Sequence, residues 1–334
     1  MSIVPLKTAA GLFYVASVGL ILLAVYLTRD IVRRLEPTRP PGRLPLILSL
    51  AVSAGFMLDN LVHVQVNMLT LVLCLLGIRA FIQNRDTAAA GWLVTATAVK
   101  ITPVFLLVWA MIRGRLRTVG AIIGFGALCV VLPMLQRGFS QGVADLTNYY
   151  HTFLQQFATG GVVTVFRNQN LAAMVYRALV PAAARDVPYD YSYLSSYSSA
   201  APMMYRIMTI LILIAFLTYL IRRRIEARPI GALEISSVFL AGHLLSGITW
   251  KAHLVTLLFV SYAFFSLDPR RLPGWQRGGL WLAWGGIIVI GLGRDLIGSR
   301  LHHYMAGYSV FVWVMILLFT LSLAWGRSQT ELRS

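Results

Sequence analysis

Charge is scarce in this 334-residue chain: Asp, Glu, Lys and Arg together make up 12% of it. A water-soluble domain carries about 25%, so this surface is not built to face water. Hydrophobic residues fill 58% of the chain and the mean hydropathy is +0.73, the composition of a polytopic membrane protein. Cysteine is scarcer still. Cys74 and Cys129 both fall within apolar runs and lack CxxC spacing, which argues against a disulfide framework or a thiolate metal site and makes them small packing residues. A Ser/Gly linker, a low-complexity tract and an internal period are also missing, so we expect one continuous membrane domain over 1–334.

Acidic residues number 12 against 29 Lys and Arg, for a net charge of +17. In a soluble chain that excess would point to nucleic acid, but the loops show no interleaving of aromatic and basic residues, and no nucleic-acid partner is expected. Apolar runs lie at about 9–27, 44–58, 61–83, 87–99, 103–113, 118–136, 203–221, 231–249, 254–267, 280–297 and 309–326. This predicts an all-α, polytopic transmembrane bundle of about eleven segments, several of them short. Alternate loops hold 19 of the 29 Lys and Arg. The positive-inside rule therefore predicts a multi-pass protein of the cell membrane with its N-terminus outside and its C-terminus cytoplasmic. The basic balance is topology plus attraction to anionic membrane lipids. The first run does not read as a signal peptide, because Arg29, Arg33 and Arg34 follow it while only Lys7 precedes it.

Residues 137–202 are too long and too polar for a tight turn, and form a large external loop on this topology. Leu146, Tyr149, Tyr150, Phe153, Leu154 and Phe157 recur at spacings of three and four. That predicts an interfacial helix, a break at Gly160-Gly161, and a second helix from about Asn170 to Val180. Between the short runs 87–99 and 103–113, Pro103 restricts its predecessor and donates no amide, so the chain breaks there and Lys100 sits where two helix ends meet.

Other polar groups stand out against this apolar background. Asp59 and Asn60 form a tight turn, read either as ordinary turn and capping chemistry or as an acid facing an outer cavity. His63, Gln65 and Asn67 cannot share one helical face, since steps of two rotate by about 200°. Gln65 and Asn67 both face a cavity only if that turn is irregular or sits above the hydrocarbon; otherwise they are interhelical glue. Trp250-Lys251-Ala252-His253 is either an interfacial anchor with a snorkelling lysine or a phosphate site combining a fixed charge with a titratable donor. Arg294, His302 and His303 add cations in a later outer cluster, without the spacing of a metal motif. Glu234 lies near the cytoplasmic end of its run, where we expect water to solvate it.

The run VHVQVNMLTLVLCLLGIRAFIQNRDTAAAGWLVTATAVKITPVFLLVWAMIRGRLR resembles the signature of glycosyltransferase family 87. There a G-Q-V-N helix precedes a small-residue helix ending in K-x-T-P and then a basic turn. Gln65, Val66 and Asn67 match, Val64 replaces the usual glycine, and Lys100, Thr102 and Pro103 match directly. Arg167-Asn168-Gln169-Asn170-Leu171 resembles the family's N-Q-S/N-L element. Leu245 to His253 resembles its S-P-x-S/T-W-x-x-H element, with Gly247 for proline.

The resemblance implies a GT-C-like bundle that inverts a sugar moved from a polyprenyl-phosphate donor, typically mannosyl or arabinosyl, to a lipid or glycan acceptor at the outer face. It implies donor-phosphate contacts from Lys100, Lys251 and His253, to which the later outer cluster adds Arg294, and a cavity lined by Gln65, Asn67, Asn168, Gln169, Asn170 and Trp250. It implies no bound cofactor and no metal. The family's usual base, on a first outer loop after a cytoplasmic-start helix, has no counterpart before residue 9, so we expect a truncated start, with Asp59 the alternative acid. A flippase for a lipid-linked sugar, or a non-catalytic subunit binding polyprenyl phosphate, remain the competing classes.

Overall fold

The computed structural model describes residues 5–36, 42–155, 162–179 and 200–331. Among these, all regular structure is helical. The helices are α1 (Leu6–Leu35), α2 (Arg43–Val62), α3 (Asn67–Ile82), α4 (Asp86–Val99), α5 (Val104–Arg113), α6 (Leu116–Arg137) and α7 (Phe139–Tyr149), which runs into a π-turn. They continue with α8 (Leu171–Leu179), α9 (Ala200–Ile225), α10 (Ala232–Leu245), α11 (Leu257–Phe265), α12 (Gly274–Gly307) and α13 (Val310–Glu331). A 3-10 turn, Lys251–Thr256, leads into α11.

Every apolar run of the sequence carries a helix, but the helices are of two kinds. Among the described residues five are long and apolar enough to cross a membrane: α1, α2, α6, α9 and α12. Of the remaining runs, α3, α4, α5, α10 and α11 are shorter and the apolar part of α13 covers only Val310–Trp325, so eleven full crossings are not seen. α10 and α11 are buried on all sides, yet at 1.5 Å per residue they reach only about 21 and 14 Å, short of a hydrocarbon core about 30 Å thick. By contrast only 11% of α6's most apolar stretch is buried. That helix turns its side chains outward, which is why Cys129 is exposed rather than packed.

Short helices thus fill the middle and long ones surround them. α3 packs on α1 and α4, α10 on α13, and α2 on α11 and α12. The α2–α12 contact is backbone-close, since a Cβ on Gly291 would lie 2.2 Å from the Val52 carbonyl oxygen. A short helix ends inside the bundle, and its loops then run at a depth where irregular backbone is tolerated only if protein or a cavity surrounds it.

The arginine-bearing end corrects one expectation. Glu234 is not solvated; it is 1% exposed. Its Oε1 accepts from Trp109 Nε1 at 2.8 Å and Arg113 Nε at 2.9 Å, and its Oε2 from Arg223 Nε at 3.0 Å. Both guanidiniums also donate to the connecting loop, at the Arg228 and Pro229 carbonyls. A buried carboxylate persists only when paired in this way.

After α6, Leu146 and Tyr149 of α7 and Tyr150 of the π-turn are exposed, whereas α8, where the second helix is expected, is buried rather than interfacial. Gly160-Gly161, Phe157 and residues 180–199 lie outside the described residues.

Candidate functional site

The expected continuous helix over 61–83 breaks at 63–66. The His63 Nδ1–H donates to the Asp59 carbonyl at 2.9 Å and caps the end of α2. Asn60 donates to the Gln65 carbonyl at 3.0 Å and holds the turn from within. Val64 takes φ 51, the left-handed region that a glycine enters freely and a β-branched residue does not. The irregular turn lets Asn67 start α3 facing inward, whereas Gln65 is half-buried with its Nε2 3.5 Å from the His63 carbonyl and does not line the cavity that Asn67 helps to form.

Asn67 meets Lys100 there: the lysine Nζ donates to Asn67 Oδ1 at 2.5 Å. Lys100 closes α4 in extended conformation, because Pro103 three residues on starts α5. The two residues share a cavity of about 40 Å³ with Thr70, Cys74, Thr102, His243, His253 and Thr256. At roughly 10–15 Å³ per water the space suits about three waters; a sugar ring needs it to widen. The starts of α3 and α5 and the 3-10 turn that leads into α11 contribute residues to its wall. Burial holds the Lys100 ammonium down at about 8. The Nδ2 of Asn67, in a residue only 4% exposed, has no hydrogen-bond partner.

His253 enters the cavity from the 3-10 turn. Its Nδ1 lies 3.1 Å from the Ile248 carbonyl and 3.3 Å from the Trp250 amide that donates toward it, which leaves Nε2 for a ligand. His243 was missed as a site residue in the sequence because it sits within an apolar run, where a histidine passes for a core residue. Its Nε2 is 2.5 Å from Thr256 Oγ1. The usable signal was its position ten residues before His253, on the other side of one loop.

The Arg-Asn-Gln-Asn element does not line this cavity; it is stitched to the loop that carries His253. Asn168 Nδ2 donates to the Val163 carbonyl at 2.7 Å, and its Oδ1 accepts the Thr249 amide at 2.8 Å. The Gln169 amide donates to the Thr249 carbonyl, and its side chain to the Ala306 carbonyl at 2.9 Å. Asn170 donates to the Ser246 and Gly247 carbonyls and accepts the Ala173 amide at the start of α8. Buried Arg177 clamps the same segment through the carbonyls of Thr164, Val165 and Asn168 and through Ser309 Oγ.

Four expected residues lie elsewhere. Lys251 points to α2, with its Nζ 6.0 Å from the Phe56 ring centroid. Arg294 is exposed on α12. Trp250 is 45% exposed, its ring nearly parallel to that of His253. Asp59, in the last turn of α2, has its Oδ1 3.6 Å from His63 Nδ1 and does not line the cavity.

A lysine, two histidines and a donor-rich wall recessed among apolar helices suit an anionic, lipid-borne ligand. The sequence comparison is consistent with this: the family model for glycosyltransferase family 87 matches residues 1–247. The chain belongs to glycosyltransferase family 87. Comparison with curated proteins finds no match, and neither does comparison with solved structures. Membership makes this membrane protein a glycosyltransferase, so a sugar donor and an acceptor must meet on it. The family 87 match takes in the Gln-Val-Asn turn, the Lys100-to-Pro103 break and the Arg167-to-Leu171 element. It ends at Gly247, within the loop that leads to His253.

Proposed function

We propose that this chain transfers a sugar, mannose or a similar one, from a polyprenyl-phosphate donor to a lipid or glycan acceptor at the outer face of the cell membrane, with inversion. The observation that carries the proposal is the cavity in which the Lys100 ammonium, the orphaned Asn67 amide and the free Nε2 of His253 converge. The acceptor hydroxyl attacks the anomeric carbon as its proton passes to a base; Asp59, turned to His63 at the end of α2, does not line the cavity and is not placed there as that base. The bond from that carbon to the phosphate oxygen breaks, and the leaving phosphate keeps the electron pair. Charge grows on this phosphate, and preorganised donors in a dry recess stabilise it most at that moment. The positive-inside distribution supports reading the cavity end of the bundle as the outer side.

The test is transfer from a short polyprenyl-phosphate mannose by the full chain in membranes. We expect Lys100→Ala and His253→Ala each to lower kcat/KM by roughly a hundredfold or more. Full transfer in both variants would show that the donor phosphate binds elsewhere.

A further inference from the structure

A 3-10 turn sorts its side chains by threes: residues i and i+3 share a side, and residues two apart diverge. On the turn Lys251–Thr256 this sends Lys251 toward α2 and sets His253 on the same side as Trp250, the residue that precedes the turn. The backbone locks that pair. The His253 amide donates to the Trp250 carbonyl at 2.9 Å, and the Trp250 amide lies 3.3 Å from His253 Nδ1. The two rings are within 13° of parallel, with their centroids 6.5 Å apart.

His253 lines the Lys100 cavity, whereas Trp250 stands beside it and is 45% exposed. The indole is thus a fixed, open aromatic surface next to the ring whose Nε2 is left for a ligand. Its predecessor, Thr249, is 0% exposed and held on three sides: by Asn168 Oδ1 at its amide, by the Gln169 amide at its carbonyl, and by the His243 carbonyl at its hydroxyl. A plain interfacial anchor needs only an amphipathic ring at the right depth; it needs no such register with a histidine.

In a sugar phosphate the anomeric carbon is bonded directly to a phosphate oxygen, so with the phosphate at Lys100 and His253 the acceptor hydroxyl must arrive close beside that histidine. An acceptor lying alongside His253 meets the indole. A pyranose keeps its hydroxyls at the ring edge and turns C–H groups to its faces, and these weakly positive groups pack on the negative face of an aromatic ring. A sugar-free lipid alcohol has no such face. We propose that Trp250 is a positioning residue for the acceptor, its exposed face stacking against a sugar ring, so that the end of the acceptor that receives the transferred sugar is itself a carbohydrate. This rests on the sugar-transfer reading and narrows it to sugar-bearing acceptors.

Two readouts on the full chain in phosphatidylcholine nanodiscs test it. The first needs no transfer: saturation-transfer difference NMR with methyl α-mannoside, methyl α-glucoside and methyl β-galactoside as probes. The ring C–H protons of at least one probe should receive saturation from the unaltered protein. That signal should fall about fivefold or more in Trp250→Leu and stay within about twofold in Trp250→Phe, which separates a lost aromatic face from a lost fold. The second is transfer from a short polyprenyl-phosphate mannose to octyl α-mannoside. Trp250→Leu should raise the acceptor KM about tenfold or more while the donor KM stays within about threefold. Equal saturation in Trp250→Leu and the unaltered chain, or none with any probe, overturns the proposal and leaves Trp250 an anchor. A donor KM that rises as far as the acceptor KM also overturns it, since Trp250 would then act by holding His253. Saturation that depends on Trp250, with no transfer by the unaltered chain, upholds the stacking face and counts against the sugar-transfer reading alone.

Discussion

At Val64 the side chain and the backbone disagree, and the disagreement can be measured. A β-branched residue at φ 51 costs about 1–3 kcal/mol, and Val64 is 58% exposed, so little packing offsets that cost. Replacing it with glycine removes the strain but loosens the unfolded chain by roughly 0.5–1 kcal/mol. Val64→Gly should therefore gain about 1 kcal/mol, seen as a melting temperature raised by about 2 °C in detergent. Lys100 gives the pH-dependent case. Its folded value of about 8 lies below the ordinary 10.5, so between those values the unfolded chain binds more protons and folding stability rises with pH. Below about pH 8 the full cost of the buried charge is present, and Lys100→Met should be the more stable protein at pH 7, losing the rise seen in the unaltered chain between pH 8 and 10. Donor binding runs the other way. KM for the donor should be flat below pH 8 and climb above it as the ammonium is lost, approaching tenfold per unit.

Among the elements, the stitched pair of loops carries the next expectation. Asn168→Ala leaves the Val163 carbonyl and the Thr249 amide without partners in a site that is 0% exposed. Each orphaned group costs about 1–3 kcal/mol, so the variant should lose about 2–4 kcal/mol in a denaturant titration; a loss under about 0.5 would mean that the loops do not depend on the stitch. The same residues show what a sequence can disclose here. Apolar runs announce helices because lipid and core both demand them, and Pro103 announces the Lys100 break because its ring forbids continuation. Asn168 and Asn170 also stood out as polar, but nothing in their neighbourhood named their partners, backbone groups some eighty positions later. They therefore looked like cavity lining, whereas they position the loop that carries His253. Lys251 was equally visible, and only the pitch of the 3-10 turn separates it from its neighbour.

Across the whole molecule, two polar layers hold the short central helices. Glu234 and His243 are nine residues apart on α10, about 14 Å along the axis. Across the bundle α5 connects the same layers, from Thr102 and Pro103 at the cavity to Arg113 on Glu234. Helices too short to span alone gain their register from a paired charge at the arginine-bearing end, because Glu234 ties α5, α9 and α10 to one point. Deleting only the carboxylate should then do more harm than deleting the whole cluster. Glu234→Ala leaves two guanidiniums, on side chains 6% and 7% exposed, facing each other unpaired, and should cost about 3–5 kcal/mol. Replacing Arg113, Arg223 and Glu234 together with apolar residues of similar volume should leave stability within about 1 kcal/mol or raise it. If the cluster also sets the depth of the cavity, the triple variant should keep its melting temperature yet bind the donor more weakly, because α5 and α10 can then slide past one another. A triple variant with unchanged stability and unchanged donor KM would confine the cluster to folding and leave the cavity's geometry to the loops that line it.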